Sequence, residues 1–323
     1  MKYIRTLLVA LVSVLVLTTM GFAADTYPSR PIELVVPFSP GGGSDIFART
    51  FVKFMQEEKA LPVNFNVVNK PGGSGVVGYN YVAGKKGDPY TMATVSSSFW
   101  ATPIAGQSPV SYKDFTPVAG VGYDSFMLIT RVQSPYQSMQ DVIAAAKKDP
   151  GKIKVSVPAI AADDAVVTNM LERAAGVKFN MITFDGNGPA LLAALGGHVD
   201  LTWSNAAEVL VQIEAKKIRV LAVATSKRMA KLPNVPTLKE MGYNVEFAQF
   251  RGLVMPKDVP PAALKTTSDA VNKLCKSQRW QTEYVEKNVI TGVCQNSEEF
   301  GKAVVATNDL YKKVFAELGI GKK

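Results

Sequence analysis

A chain of 323 residues, 47% hydrophobic and 20% charged, is long enough for a large core divided over two lobes. Its formal charge of +9 is carried by lysines spread in pairs (Lys85-Lys86, Lys147-Lys148, Lys216-Lys217, Lys312-Lys313) without interleaved aromatic residues, which argues against a nucleic-acid groove and for solvated helix faces. One histidine and two unclustered cysteines argue against a zinc site, and neither a metal nor a cofactor is expected.

Residues 1–24 have the logic of a secretory signal peptide. Lys2 and Arg5 precede an uncharged run from Thr6 to Thr19, and small residues close the segment at Gly21-Phe22-Ala23-Ala24. A retained membrane anchor is the alternative, but the apolar stretch falls short of the roughly 20 residues a bilayer core requires. No cysteine follows it to take a lipid. Removal leaves 299 residues with a charge of +7 and no second long apolar run, so a soluble, exported, periplasmic protein is expected.

Strands are predicted at 32–38, 65–69, 90–96, 126–130, 154–158, 179–184, 199–204, 219–225 and 252–256. Most are continuously apolar and rich in β-branched residues, the pattern of strands covered on both faces in parallel sheets. Helices are predicted between them at 44–58, 138–148, 163–176, 188–197 and 205–217. Ser138 and Asp141 have capping-box spacing, and Gly176, Gly196 and Gly197 stand where helix ends use a left-handed residue. The alternation implies an α/β fold with right-handed crossovers. After Pro256 the chain reads as helix after helix, packing back on an earlier lobe. No internal repeat, low-complexity segment or long linker is seen, so the lobes are expected to divide as 25–125 plus 248–323 and 126–247, joined by ordered strand crossings.

Three stretches share one design, a strand ending in glycine-rich sequence that turns into a helix: FSPGGGSD (38–45), NKPGGSGVVG (69–78) and FDGNGPALL (184–192). Glycine lets a ligand approach the main chain, and the unpaired amides and dipole of the following helix favour an anion. Hydrogen bonds to a charged acceptor contribute about 1.5–3 kcal/mol each. A few amides could therefore hold a small carboxylate without an arginine, whereas glycines serving only tight turns are the plainer alternative. A carboxylate at Asp45 would repel an anion. It suits capping by Ser44 or Asp45, or orientation of a ligand amine, hydroxyl or water.

Other chemistries fit poorly. Gly73-Ser74-Gly75-Val76-Val77-Gly78 matches G-x-G-x-x-G, but the acidic residue a dinucleotide site needs about 20 positions later is absent, where the chain reads ATVSSSFW. Neither GGGSD nor GGSGV is a nucleophile elbow, and a serine triad would depend on His198, which reads as a turn residue. Cys275 and Cys294 are close enough in sequence for one disulfide stapling the C-terminal helices in an oxidising compartment; two buried thiols are the alternative.

YPSRPIELVVPFSPGGGSDIFAR resembles the opening of the extracytoplasmic solute receptors of the tripartite tricarboxylate transporter family, the Bug receptors. The similarity continues through KDFTPV (113–118), DPGKIKVS (149–156), GPALLAALGGHVDLTW (188–203), KIRVLAVATSKRMAKLPNVPTLKEMGY (217–243) and PKDVPPAAL (256–264). This resemblance implies a type II-like periplasmic binding protein fold, two lobes each with a mainly parallel sheet flanked by helices, closing over a small organic acid. It also implies delivery to membrane subunits of a secondary transporter, with the protein a monomer and no enzyme. Carried onto this chain, it places ligand contacts at Ser39, Gly41, Gly42, Gly43, Ser44 and Asp45, at Ser74 and Gly75, and at Ser97 and Ser98 on one wall. Asp185, Gly188, Pro189, Ala190 and Asn205 face them from the other lobe.

Two departures from the family pattern stand out. PAIAADDAVVTNM loses the small polar donors many relatives carry after the KVS strand and adds Asp163 and Asp164. Arg251 stands where relatives often have an aromatic residue and is a candidate partner for a second ligand charge, with an ion pair to Asp or Glu as the alternative. An exported enzyme on a similar scaffold and a receptor presenting its ligand to a sensor kinase are the competing functions.

Overall fold

The computed structural model describes residues 27–158, 162–229 and 231–319; the expected signal peptide at 1–24 lies outside them. The first apolar runs form β1 (Ile32–Val36), α1 (Gly43–Glu57), β2 (Phe65–Asn69), α2 (Val76–Ala83), β3 (Thr91–Val95) and the short α3 (Ser98–Ile104). β4 (Phe115–Arg131) then leads to α4 (Met139–Lys148), β5 (Lys154–Val157), α5 (Asp163–Ala175), β6 (Asn180–Thr183), α6 (Asn187–Gly196), β7 (Leu201–Asn205), α7 (Ala206–Glu214) and β8 (Ile218–Val223). β9 (Ala248–Pro256), α8 (Pro261–Cys275), β10 (Thr291–Gln295) and α9 (Ser297–Leu318) complete the order.

This is a two-lobed α/β fold. One sheet runs β2-β1-β3-β9-β4 with β10 also on β4, and the other runs β4-β7-β5-β6 with β8 also on β4. The outer strands are parallel, as their continuous apolar runs predict: β1 with β2 and β3, and β5 with β6 and β7. The centre is antiparallel, because β4 carries the chain from the first sheet into the second and β9 returns beside it, Ser125 opposite Ala248. β4 pairs with β9 over its first part and with β7 and β8 from Phe126 onward.

Three elements differ from the sequence-based expectation, one of them the short α3, which is unexpected in a stretch that contains Pro103. The strand expected at 126–130 begins at Phe115, because Pro117, Gly120 and Gly122, which read as turn residues, are absorbed by register shifts at Pro117/Ala119 and Gly120/Gly122. The all-helical tail contains β10, which pairs antiparallel with β4. Smaller expectations hold, except at Gly196, which is the last helical residue of α6 and not a left-handed end. Ser138 Oγ accepts from the Asp141 amide while the Asp141 carboxylate accepts from the Ser138 amide, and Gly176 and Gly197 are left-handed at φ +65° and +76°.

Packing fixes the helix that carries the first glycine loop. Phe47, Phe51 and Phe54 lie on one stripe of α1, and each meets the Trp280 ring edge-on; Phe47 also meets Tyr284. Trp280 and Tyr284 are 1% exposed. They lie in the short helical segment 278–286 between α8 and β10, inside the loop closed by a disulfide between Cys275 and Cys294. The bond therefore staples the end of α8 to a strand rather than to another helix. In the second lobe Phe126, Leu201, Trp203 and Leu221 anchor a separate core.

Candidate ligand-binding site

A cavity of about 30 Å³ lies between the two sheets, lined from one side by Phe38, Gly42, Gly43, Ser44, Ser96, Ser98 and Gln249 and from the other by Pro158, Ala162, Asp163, Asp164 and Asn187. The starts of α1, α3, α5 and α6 all reach it. Every one follows a strand, so the topology turns successive helix N-termini, with their unpaired amides, toward a common point. A larger groove, about 810 Å³, lies at the β4–β9 crossing; two of its three basic residues are engaged within the protein, Arg228 with Glu240 and Lys231 Nζ with the Lys287 carbonyl, and no glycine loop reaches it.

The first glycine loop divides its amides. Gly41 N donates to Asp45 Oδ2 at 3.0 Å, and Gly43 N donates to Glu208 Oε1, in the other lobe, at 2.5 Å. The Gly42 and Ser44 amides make no hydrogen bond within the described chain. Asp45 turns away from the cavity. Its carboxylate accepts from Arg49 Nε at 3.1 and 3.0 Å and from Asn69 Nδ2 at 2.9 Å. Burial alone would raise its pKa, but these bonds and the Gly41 amide together hold it below the usual carboxylate value. Asp45 is thus a brace for the loop, and it stays ionised.

Arg251 is enclosed rather than open to a ligand. At 0% exposure it gives Nε and Nη2 to Asp124 Oδ2 at 3.1 and 2.7 Å, Nη1 to Ser44 Oγ at 3.3 Å and Nη2 to Asn205 Oδ1 at 3.1 Å. Burial opposes its charge, but the Asp124 carboxylate, with Tyr284 and Glu208 nearby, outweighs this and raises its pKa. Asn205 is likewise engaged, its Nδ2 donating to the Ser125 carbonyl at 3.2 Å. Both residues fasten α1 to the strand crossing. Gly43 must be glycine here, since a Cβ would run into Arg251 Nη2 and come within 3.2 Å of Glu208 Oε1.

The third loop seals against the first. Ser39 Oγ donates to the Asp185 carbonyl at 2.5 Å, and a Cβ on Gly188 would stand 2.8 Å from the Pro40 carbonyl. Pro189 and Ala190 continue the first turn of α6 behind Asn187, which reaches the cavity. The second loop has a packing role. Ser74 and Gly75 take positive φ, and a Cβ on Gly75 would meet Pro37 and Phe38 at 3.3 Å. Ser98 lines the cavity with its hydroxyl 3.2 Å from that of Ser96, while Ser97 has a buried hydroxyl without a partner. His198 is exposed in the turn after α6.

Of the residues expected to contact a ligand, Gly42, Gly43, Ser44 and Ser98 line the cavity. Ser39, Gly41, Asp45, Ser74, Gly75, Ser97, Asp185, Gly188, Pro189, Ala190, Asn205 and Arg251 support or surround it. Asp163, Asp164 and Gln249 were not among the expected contacts. The first two sit where a strand turns into a helix without glycine, and a search keyed to glycine passes over them.

Paired sheets joined by crossing strands, with helix starts from both lobes around one cavity, define the solute-binding class of periplasmic proteins. The family model described as Tripartite tricarboxylate transporter family receptor matches residues 47–320, and the chain belongs to this family. It is 32% identical over 282 residues to Protein BugT of Bordetella pertussis, covering 84% of this chain and 86% of that one. Among solved structures it is similar to the periplasmic binding protein BugD, with TM-score 0.86 and 27% identity over 92% of this chain and 100% of that one. It is also similar to an R. palustris protein solved with adipate, with TM-score 0.83 and 26% identity over 91% and 99% of the two chains. Family members are solute receptors that work with membrane transporter subunits.

Proposed function

We propose that the protein is a periplasmic receptor that captures a small carboxylate between its lobes and presents it to the membrane subunits of a tripartite tricarboxylate-type transporter. It acts as a monomer and catalyses nothing. The lobes divide at the β4–β9 crossing, as 25–125 plus 248–323 and 126–247, and closure both buries the solute and forms the surface the transporter reads. The observation that carries this reading is the meeting of helix starts from both lobes at one cavity, where the Gly42 and Ser44 amides and the Ser98 hydroxyl are positioned to receive an anion. The adipate held by the R. palustris relative agrees with a carboxylate ligand.

The cavity as it stands holds about 30 Å³, room for one or two waters, so the lobes must part to admit a solute. Thermal-shift screening against C4 to C6 carboxylates, with mass spectrometry of any co-purifying molecule, tests the proposal. A ligand at a hundred times its Kd stabilises by about 2.7 kcal/mol, enough for a clear rise in Tm. The reading fails if no carboxylate shifts Tm, or if the bound molecule is released chemically altered.

A further inference from the structure

In and around the cavity, acids outnumber bases. Asp45 is answered by Arg49 and Asp124 by Arg251 behind the wall, but Asp163 and Asp164, which line it, and the neighbouring Glu208 form no ion pair among the described residues. Glu208 is satisfied by the Gly43 and Asn205 amides at 2.5 and 3.0 Å. Asp163 is satisfied by Gln249 Nε2 at 2.7 Å and the Tyr311 hydroxyl at 3.2 Å. Asp164 differs. It is 1% exposed, it lines the cavity, and its Oδ1 has no hydrogen-bond partner.

The field at the start of α5 compensates this carboxylate only in part for the cost of withdrawing an ion from water. The nearest balancing charges are of the wrong sign, since Asp163 and Glu208 both raise its proton affinity on top of burial. What the position lacks is a donor, and a cationic donor gives the stronger bond. A metal ion is a poor occupant: among the described residues no group of three or more His, Cys, Asp or Glu side chains is arranged to hold one.

We infer that Asp164, with Asp163 beside it, forms the subsite for a protonated nitrogen of the solute, so that the ligand is an amino-carboxylate rather than a plain dicarboxylate. The solute's carboxylate meets the amides of Gly42 and Ser44 and its ammonium meets Asp164 across the cavity. This rests on the carboxylate reading above and adds the second pole of the ligand.

Isothermal titration with matched probes tests it. Glutarate is compared with 4-aminobutyrate and adipate with 5-aminopentanoate, one carboxylate exchanged for ammonium in each pair; succinate is compared with aspartate, to which an ammonium is added. The expected result is at least tenfold tighter binding of the aminated member of at least one pair, and loss of that preference in Asp164→Asn. If the dicarboxylates bind and their aminated partners bind no better, the subsite is overturned while the carboxylate reading stands. Retention of the preference by Asp164→Asn overturns it equally. If no probe of either kind binds, both readings fall together. The wild-type ranking is decisive whatever the folding of the variant.

Discussion

Glu208 of the second lobe accepts a hydrogen bond from the Gly43 amide at the start of the first helix, at 2.5 Å, while its other oxygen caps its own helix through the Asn205 amide at 3.0 Å. One carboxylate thus ties the helix starts of both lobes together. Replacing it, Glu208→Ala, leaves two buried amides without an acceptor, at about 1–3 kcal/mol each. Parting of the lobes hydrates Gly43 and relieves that cost. Small-angle scattering of this variant should therefore show a larger radius of gyration than the wild type, and an unchanged radius would refute the tie.

Arg251 and Asp124 form a pair enclosed on all sides, with side chains 1% and 2% exposed. Arg251→Met strands the Asp124 carboxylate, whose Oδ1 already lacks a partner, and is expected to cost about 3–5 kcal/mol in urea unfolding. Adding Asp124→Leu should recover most of the loss. A double variant no more stable than the single one would show that the pair contributes more than its own charge balance.

The acids of the cavity predict how stability responds to pH. Burial raises the pKa values of Asp163, Asp164 and Glu208, and Asp164 rises further because Asp163 and Glu208 are near. A carboxyl with a native pKa above its unfolded value binds more protons folded than unfolded, so stability falls as pH climbs from the ordinary value of 3.8 to 4.5 through the raised ones. Tm should accordingly increase as the buffer goes from pH 7.5 to 5. The increase should reverse below the ordinary carboxylate range, where Asp45, whose pKa is lowered, gains its proton and its bonds to Arg49 and Asn69 weaken. Asp164→Asn should raise Tm at pH 7.5 and flatten the slope. A calorimetric series in which Tm falls from pH 7.5 to 5 contradicts this assignment.

The Cys275–Cys294 bond closes a loop with a sequence separation of 19 residues, for which chain entropy predicts about 3 kcal/mol. That loop contains Trp280 and Tyr284, the rings that hold α1 in place. Reduction, or Cys275→Ala with Cys294→Ala, should lower Tm and also weaken solute binding, since α1 carries the Gly42 and Ser44 amides. Stability lost without any change in affinity would separate the bond from the site.

Much of this was legible in the chain. The run from Val35 to Asp45 announced a strand, a glycine turn and a helix, and two of those glycines, Gly42 and Gly43, do reach the cavity. The first half of β4 was not legible, because Pro117, Gly120 and Gly122 look like punctuation until β9 and β10 supply partners that tolerate bulges. The roles of Arg251 and Asn205 were hidden for a different reason. Arg251 pairs with a residue 127 positions away, and no local pattern distinguishes a charge waiting for a ligand from one already matched across a fold. Asp163 and Asp164 were visible as departures, but only the cavity shows that one of them has an oxygen with nothing to accept from.

β4 and β9 cross between the sheets side by side, Ser125 opposite Ala248, so the halves of the molecule are linked by a hydrogen-bonded ribbon and not by two independent cords. Because the two crossings are bonded to each other, any parting of the halves must bend or twist both strands together. Spectroscopic labels placed on the two rims of the mouth would measure that parting.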